Sequence, residues 1–109
     1  MALNYIDEIA RLVRAEIAPE ARPAERADDL YRLYALLVLV KGEATTPADV
    51  HNAWSVWMLP QDPTHSSLRP FGQLDENTKQ EDLPFVDAIH KVARSLSSVP
   101  MGDGSDAID

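Results

Sequence analysis

The sequence predicts a mainly α fold, a compact bundle of four or five helices with a long Pro-rich loop and at most a minor extended element. Two observations carry this prediction. Apolar residues recur at three- and four-residue steps over much of the chain, and helix-start and helix-stop residues separate these stretches. The 109 residues are 45% hydrophobic and 26% charged, which is typical of one small globular domain with a modest core.

The first predicted helix runs from Leu3 to Ile17. Its apolar residues fall on one face, with charged residues such as Arg11 between them. The helix should end near Ala18, because Pro19 disfavours helical backbone for the residue before it.

The second predicted helix starts at Pro23, since proline is well tolerated in a first helical turn. The stretch from Leu33 to Val40 contains no charged residue, so this half should be covered by its neighbours on most sides. It is therefore the predicted central helix. Gly42 follows, able to take the left-handed conformation that ends many helices.

The third predicted helix starts at Thr46-Pro47-Ala48-Asp49, which combines a hydroxyl cap, a first-turn proline and a carboxylate that can return a capping bond. It should run to about Leu59. The segment Pro60–Gln73 is rich in proline and reads as a long loop, with a short extended piece at Leu68–Phe71.

A short acidic helix is predicted from a cap at Asp75 to Asp82, and a last helix begins at Pro84. Residues 1–97 then form one helical domain. Residues 98–109 are rich in Ser, Gly and Asp and are predicted to be a disordered acidic tail.

Charge and composition exclude several classes of function. The formal net charge of −8 repels phosphate backbones and anionic lipid, so neither nucleic acid nor a membrane is an expected partner. The chain has no cysteine, which fits a reducing compartment, and we expect it to be cytoplasmic. We also expect no cofactor and no metal, because the three histidines lack metal-ligand spacing.

The third helix carries the candidate site. His51, Trp54 and Met58 fall on one stripe, while Trp57 and Val50 fall on an adjoining stripe that should pack on the second helix. A tryptophan one turn after a histidine forms a flat wall suited to a planar ring or a cation. The alternative is that both tryptophans belong to the core.

The wider segment supplies three short motifs in order: Val50-His51-Asn52-Ala53-Trp54, Thr64-His65-Ser66-Ser67-Leu68-Arg69-Pro70-Phe71-Gly72-Gln73-Leu74 and Lys79-Gln80-Glu81-Asp82. Together they resemble the repeat domain of ryanodine receptors. That family shows His-x-x-Trp on a helix, a loop reading His-Pro-x-Leu-x-Pro-Tyr-x-x-Leu, and a Lys with Asp three residues on. The similar segment spans residues 50–96.

The resemblance implies a nucleotide-binding pocket built around Trp54, which would stack on a base. His51 and Lys79 would then supply hydrogen bonds or a cation, and Pro70 and Phe71 would close the pocket. Between Val50 and Leu74 the formal charges sum to zero, so an anion could enter. Free-standing bacterial and phage proteins with this module are similar in size, which implies a phage or bacterial accessory protein.

The sequence thus supports two hypotheses. The first is a non-enzymatic small-molecule-binding domain that binds or sequesters an adenine-containing nucleotide. The second is a structural or adaptor protein whose aromatic segment docks a partner protein or a second copy of the chain. No catalytic residue is predicted, because phosphate loops and nucleophile elbows are missing and acids such as Glu81 and Asp82 read as solvated helix-face residues.

Overall fold

The computed structural model describes residues 4–23 and 27–98. Over these residues the chain forms five α-helices: α1 (Tyr5–Ala15), α2 (Asp28–Val40), α3 (Pro47–Met58), α4 (Glu76–Gln80) and α5 (Leu83–Ser98). Three 3₁₀ turns lie between them at Pro19–Ala21, Gly42–Ala44 and Phe71–Gln73. The predicted mainly α bundle is confirmed.

Helix α2 is the centre of the bundle, as predicted, and packs against α1, α3 and α5. The largest fully buried side chains come from the four long helices and from the turn after α1: Val13, Ile17, Leu30, Tyr34, Val50 and Ile89. One continuous hydrophobic core therefore fixes the relative positions of α2, α3 and α5.

The start of α2 differs from the prediction. The helix begins at Asp28, and Pro23 lies outside it because Arg22 adopts extended backbone (φ −72°, ψ 141°) just before this proline. Two carboxylates, Asp28 and Asp29, occupy the first turn of α2. Negative charge is favourable there because the N-terminal end of a helix carries partial positive charge.

The C-terminal half of α2 is less covered than predicted. Leu36, Leu39 and Val40 are 49%, 47% and 65% exposed. Neighbouring helices cover the side of α2 that carries Tyr34 and Val38, and leave the apolar residues of the other side open. The expectation of cover on most sides is therefore wrong.

Other boundaries shift by small amounts. Helix α1 is capped by Asn4, whose side chain accepts a hydrogen bond from the Asp7 N–H, and it ends at Ala15. The extended piece predicted at Leu68–Phe71 is wrong: among the described residues there is no strand, and Phe71 begins a 3₁₀ turn. The predicted tail lies outside the described residues, except that Ser98 still belongs to α5.

None of the helices that the structure describes combines the length and the apolar character needed to cross a bilayer.

The start of α3 generates a stability prediction. The Thr46 hydroxyl accepts from the Asp49 N–H at 3.2 Å, and the Asp49 carboxylate accepts from the Thr46 N–H at 2.9 Å. We expect Thr46→Ala to lower the free energy of unfolding by about 1 kcal/mol, the usual value of a lost hydroxyl cap. Thr46→Ser keeps the hydroxyl and is the control, so it should retain most of the stabilisation that the cap provides. Equal urea midpoints for Thr46→Ala and the native chain would contradict the role of the cap.

Candidate functional site

Helix α3 places His51 and Trp54 side by side. His51 is 3% exposed and Trp54 is half-buried. Their rings are stacked with centroids 5.7 Å apart and planes 20° apart. The imidazole therefore supports the indole from one side, while part of the indole remains accessible.

Two contacts hold the loop after α3 against His51 and Trp54: one is made by His51 itself and the other by the loop residue His65. His51 Nε2 lies 2.7 Å from the Arg69 carbonyl oxygen, so this nitrogen carries the proton and donates. His65 Nδ1 accepts from the Ser67 N–H at 3.0 Å, and the His65 ring lies 5.0 Å from Trp54 in an edge-on arrangement. Trp54 is thus held between two imidazoles, each of which is itself fixed by a backbone hydrogen bond.

Beside Trp54 lies an open cavity of about 480 Å³, a volume within the usual range for small-molecule sites. It is bounded by side chains from α2, α3, the loop and the α4–α5 region, and by the segment before α2: Ala21, Pro23, Leu30, Tyr34, His51, Trp54, His65, Ser67, Thr78, Glu81, Asp82, Pro84 and Phe85. The cavity is mostly apolar, and polar side chains reach it from α2, α3, the loop and the α4–α5 region.

The formal charges that line this cavity are negative. Glu81 and Asp82 contribute carboxylates, and none of the described lysines or arginines lines it. Asp82 is half-buried, and burial raises the pKa of its carboxyl to about 6; His51 opposes this shift and Glu81 adds to it. The expectation that Asp82 is an ordinary solvated acid is wrong, because the fold places it against the cavity wall.

Two polar groups of the cavity lack an intramolecular partner. Tyr34 is 1% exposed, and over the described part of the chain neither its hydroxyl nor the Asp82 carboxylate makes a side-chain hydrogen bond. Burial, together with the charge of Asp82, raises the pKa of Tyr34. Both residues line the cavity, so these two groups are free to bind a ligand there.

The other predicted site residues lie around the cavity without lining it. Phe71 is half-buried, with its ring 6.2 Å from the His51 ring, and Lys79 Nζ lies 5.5 Å from the Phe71 centroid and 3.5 Å from a Glu76 carboxylate oxygen. Pro70 is exposed and Met58 is half-buried at the end of α3. Of the six predicted residues, only His51 and Trp54 line the cavity.

Sequence reasoning missed the contributions of α2 and α5. Tyr34 and Leu30 line the cavity from α2, one helical turn apart, and Phe85 lines it from α5. The Tyr34 and Phe85 rings pack with centroids 5.4 Å apart. Within its own helix, each of these residues occupies a position that is typical of the core. No local signal in the sequence therefore separates the cavity residues from the rest of the core.

The profile of a family described as a domain of unknown function, DUF7701, matches residues 4–94. The chain belongs to the DUF7701 family. No curated protein and no solved structure matches the chain. The resemblance to ryanodine-receptor repeats stays a prediction.

The match covers all five α-helices except the end of α5, so the cavity lies wholly inside the DUF7701 domain. Within the described residues of this domain, no group of three or more His, Asp or Glu side chains is arranged to hold a metal ion.

The environment of Asp82 predicts how the stability of the DUF7701 domain depends on pH. A carboxyl whose pKa rises from 3.8 in the unfolded chain to about 6 in the folded one binds more protons when folded, so its contribution to stability is lost as pH rises from about 4 to 7. We expect Asp82→Asn to remove this loss and to raise the free energy of unfolding at pH 7.5 by about 1–2 kcal/mol.

Urea unfolding at several pH values checks this, because the difference between the two chains isolates Asp82 from the other groups that face it, His51, Glu81 and Tyr34. Asp87→Asn, which neutralises an exposed carboxylate on α5, is the control and should have little effect. A destabilised Asp82→Asn chain at pH 7.5 would contradict the prediction.

Proposed function

We propose that this DUF7701 protein is a non-enzymatic small-molecule-binding domain and that the cavity beside Trp54 is its binding site. The observation that carries the proposal is the combination of an open cavity of about 480 Å³ with an indole that is already held in place. Small-molecule sites are concave, largely apolar and provided with a few convergent polar groups. This cavity has all three properties.

The ligand we propose contains a planar ring. Trp54, Tyr34 and Phe85 line the cavity, and aromatic side chains favour flat partners through stacked or edge-on contacts. The His51 and His65 contacts restrict the motion of the indole, so less conformational freedom is lost when a ring binds beside it.

An adenine-containing nucleotide is the ligand that the resemblance implies, and the cavity supports the base half of it. The ring could lie beside Trp54, and an exocyclic amino group could donate to Asp82 or to the bare Nδ1 of His51. The phosphates would lie outside the cavity, because the described residues that line it include no lysine or arginine. A cytoplasmic setting belongs to the same proposal.

The two tryptophans allow a direct test of this function. In Trp57→Phe the emission comes from Trp54 alone, and we expect adenosine to change it saturably because the ring binds beside the indole. AMP and ATP should bind within about threefold of adenosine, since their phosphates would lie outside the cavity and form no hydrogen bond with a lysine or arginine there. Fluorescence titration measures all three.

Trp54→Phe, which leaves Trp57 as reporter, is the matched control and should show no saturable change. Lys79→Gln should alter adenosine affinity less than twofold, because Lys79 is engaged by Glu76 and Phe71 outside the cavity. An emission change in Trp54→Phe, with none in Trp57→Phe, would place the ligand elsewhere and refute the proposal.

A second candidate function is association through the α2–α3 surface. Its apolar residues are Leu33, Leu36, Val56, Trp57 and Pro60, and they surround a shallow groove of about 370 Å³ that Asp29 and Arg32 also line. Leu36 and Val56 are 49% and 62% exposed. Exposed apolar side chains gathered at one place are typical of interaction surfaces. Trp57 is half-buried here and packs against the core.

If this surface holds two copies of the chain together, Val56→Asp should convert a dimer into a monomer, because an unpaired carboxylate in an apolar contact is costly. Light scattering after size exclusion measures the mass. Asn52→Asp, which adds the same charge at an exposed position of α3, is the control. A native chain that is monomeric at high concentration would remove self-association as a function.

A further inference from the structure

We propose that the ligand of the cavity is an organic cation, an ammonium group on an aromatic body, with the positive charge held by Asp82 and Glu81. This inference rests on the proposed function, because it names the chemical class that the same cavity takes. It differs from the nucleotide hypothesis in the sign of the ligand charge.

The charge around the cavity favours a cation. Two carboxylates line it, and the cationic side chains nearest in sequence are engaged elsewhere: Lys79 is held by Glu76 and Phe71, and the Arg22 guanidinium donates to the Ile17 carbonyl at 3.0 Å. The whole chain carries a net charge of −8. A phosphate would meet like charge in the cavity and in the surrounding field, whereas a cation is attracted by both.

The aromatic lining of the cavity also suits a cation. Trp54, Tyr34 and Phe85 border the same space. The faces of aromatic rings attract cations, and clusters of such rings recognise ammonium groups, including methylated ones. An apolar wall combined with carboxylates is suited to a ligand that has an apolar body and a charged end.

Two polar groups at the cavity have no hydrogen-bond partner among the described residues. Tyr34 is 1% exposed, and its hydroxyl makes no hydrogen bond there. The Asp82 carboxylate, which is half-buried, makes none either. Both oxygens can accept, and an ammonium group has three N–H donors and no acceptor. A bound ammonium would satisfy both oxygens at once.

The partial burial of the Asp82 carboxylate favours a cation as well. Removing the Asp82 carboxylate from water disfavours its ionised form, and a positive charge within hydrogen-bond distance compensates for that cost. An anionic ligand would increase the cost. The cavity is therefore better suited to a cation than to a neutral or negatively charged molecule of the same shape.

The test compares three molecules that share one ring system and differ in charge: tryptamine (cation), tryptophol (neutral) and indole-3-acetate (anion). Titration of ¹⁵N-labelled protein follows the indole N–H signals, which are assigned by the Trp57→Phe variant. We expect tryptamine to shift the Trp54 signal and to bind at least tenfold more tightly than the other two, the usual gain from a charged hydrogen bond.

Substitutions identify the side chains that bind the positive charge of the ligand. Asp82→Asn should remove most of the advantage of tryptamine over tryptophol, because the Glu81 side chain that remains is exposed. Tyr34→Phe should weaken tryptamine binding several-fold because one acceptor is lost. Asp87→Asn is the matched control, since it removes an exposed carboxylate of α5 outside the cavity, and should leave the preference unchanged.

The outcomes separate this inference from the proposed function. If indole-3-acetate or ATP binds as tightly as tryptamine and shifts the Trp54 signal, the proposal of a cationic ligand is refuted, whereas the proposed binding site beside Trp54 is supported. If tryptamine still binds at least tenfold more tightly than tryptophol in both Asp82→Asn and Tyr34→Phe, the proposal of a cationic ligand is also refuted. If neither the three indoles nor adenosine shifts Trp54, both proposals are refuted.

Discussion

The hydrogen bond from His51 Nε2 to the Arg69 carbonyl is the contact on which the candidate site depends. It joins the buried side of α3 to a loop residue 18 positions later, at 2.7 Å. An imidazole that is 3% exposed would leave an unsatisfied donor if the loop moved away, at a cost of about 1–3 kcal/mol. The same ring stacks on Trp54 and lies 6.2 Å from the Phe71 ring, so one side chain fixes the indole, the loop and the turn that follows.

This bond also decides what His51 can offer a ligand. With its Nε2 proton committed to a backbone carbonyl, a neutral His51 presents a bare Nδ1, which is an acceptor. Asp82 and Tyr34 add further acceptor oxygens at the cavity. These acceptors of the cavity therefore match a ligand that donates hydrogen bonds, and the aromatic residues match its ring.

Local signals in the sequence predict the start of α3 well, the start of α2 poorly and the site only in part. The Thr46 cap and its Asp49 partner are both visible in the sequence and both form, because capping depends on residues three positions apart. His51 and Trp54 are found for the same reason, since one helix carries both. Tyr34, Phe85 and Asp82 reach the cavity only when α2 and α5 pack, so their roles depend on tertiary contacts. The Asp82 pKa likewise follows from burial that no local pattern reveals.

The two surfaces proposed for binding lie on different sides of α3, and this separation has a mechanistic consequence. Trp54 lines the cavity, whereas Val56, about 200° further round the helix, lines the shallow groove with α2. A molecule in the cavity therefore does not cover the α2–α3 surface, and a partner on that surface does not close the cavity. Any influence of one on the other must pass through the position of α3 itself. That position is set by Val50, which is fully buried against the common core, so the two functions are expected to be energetically independent while the core is intact.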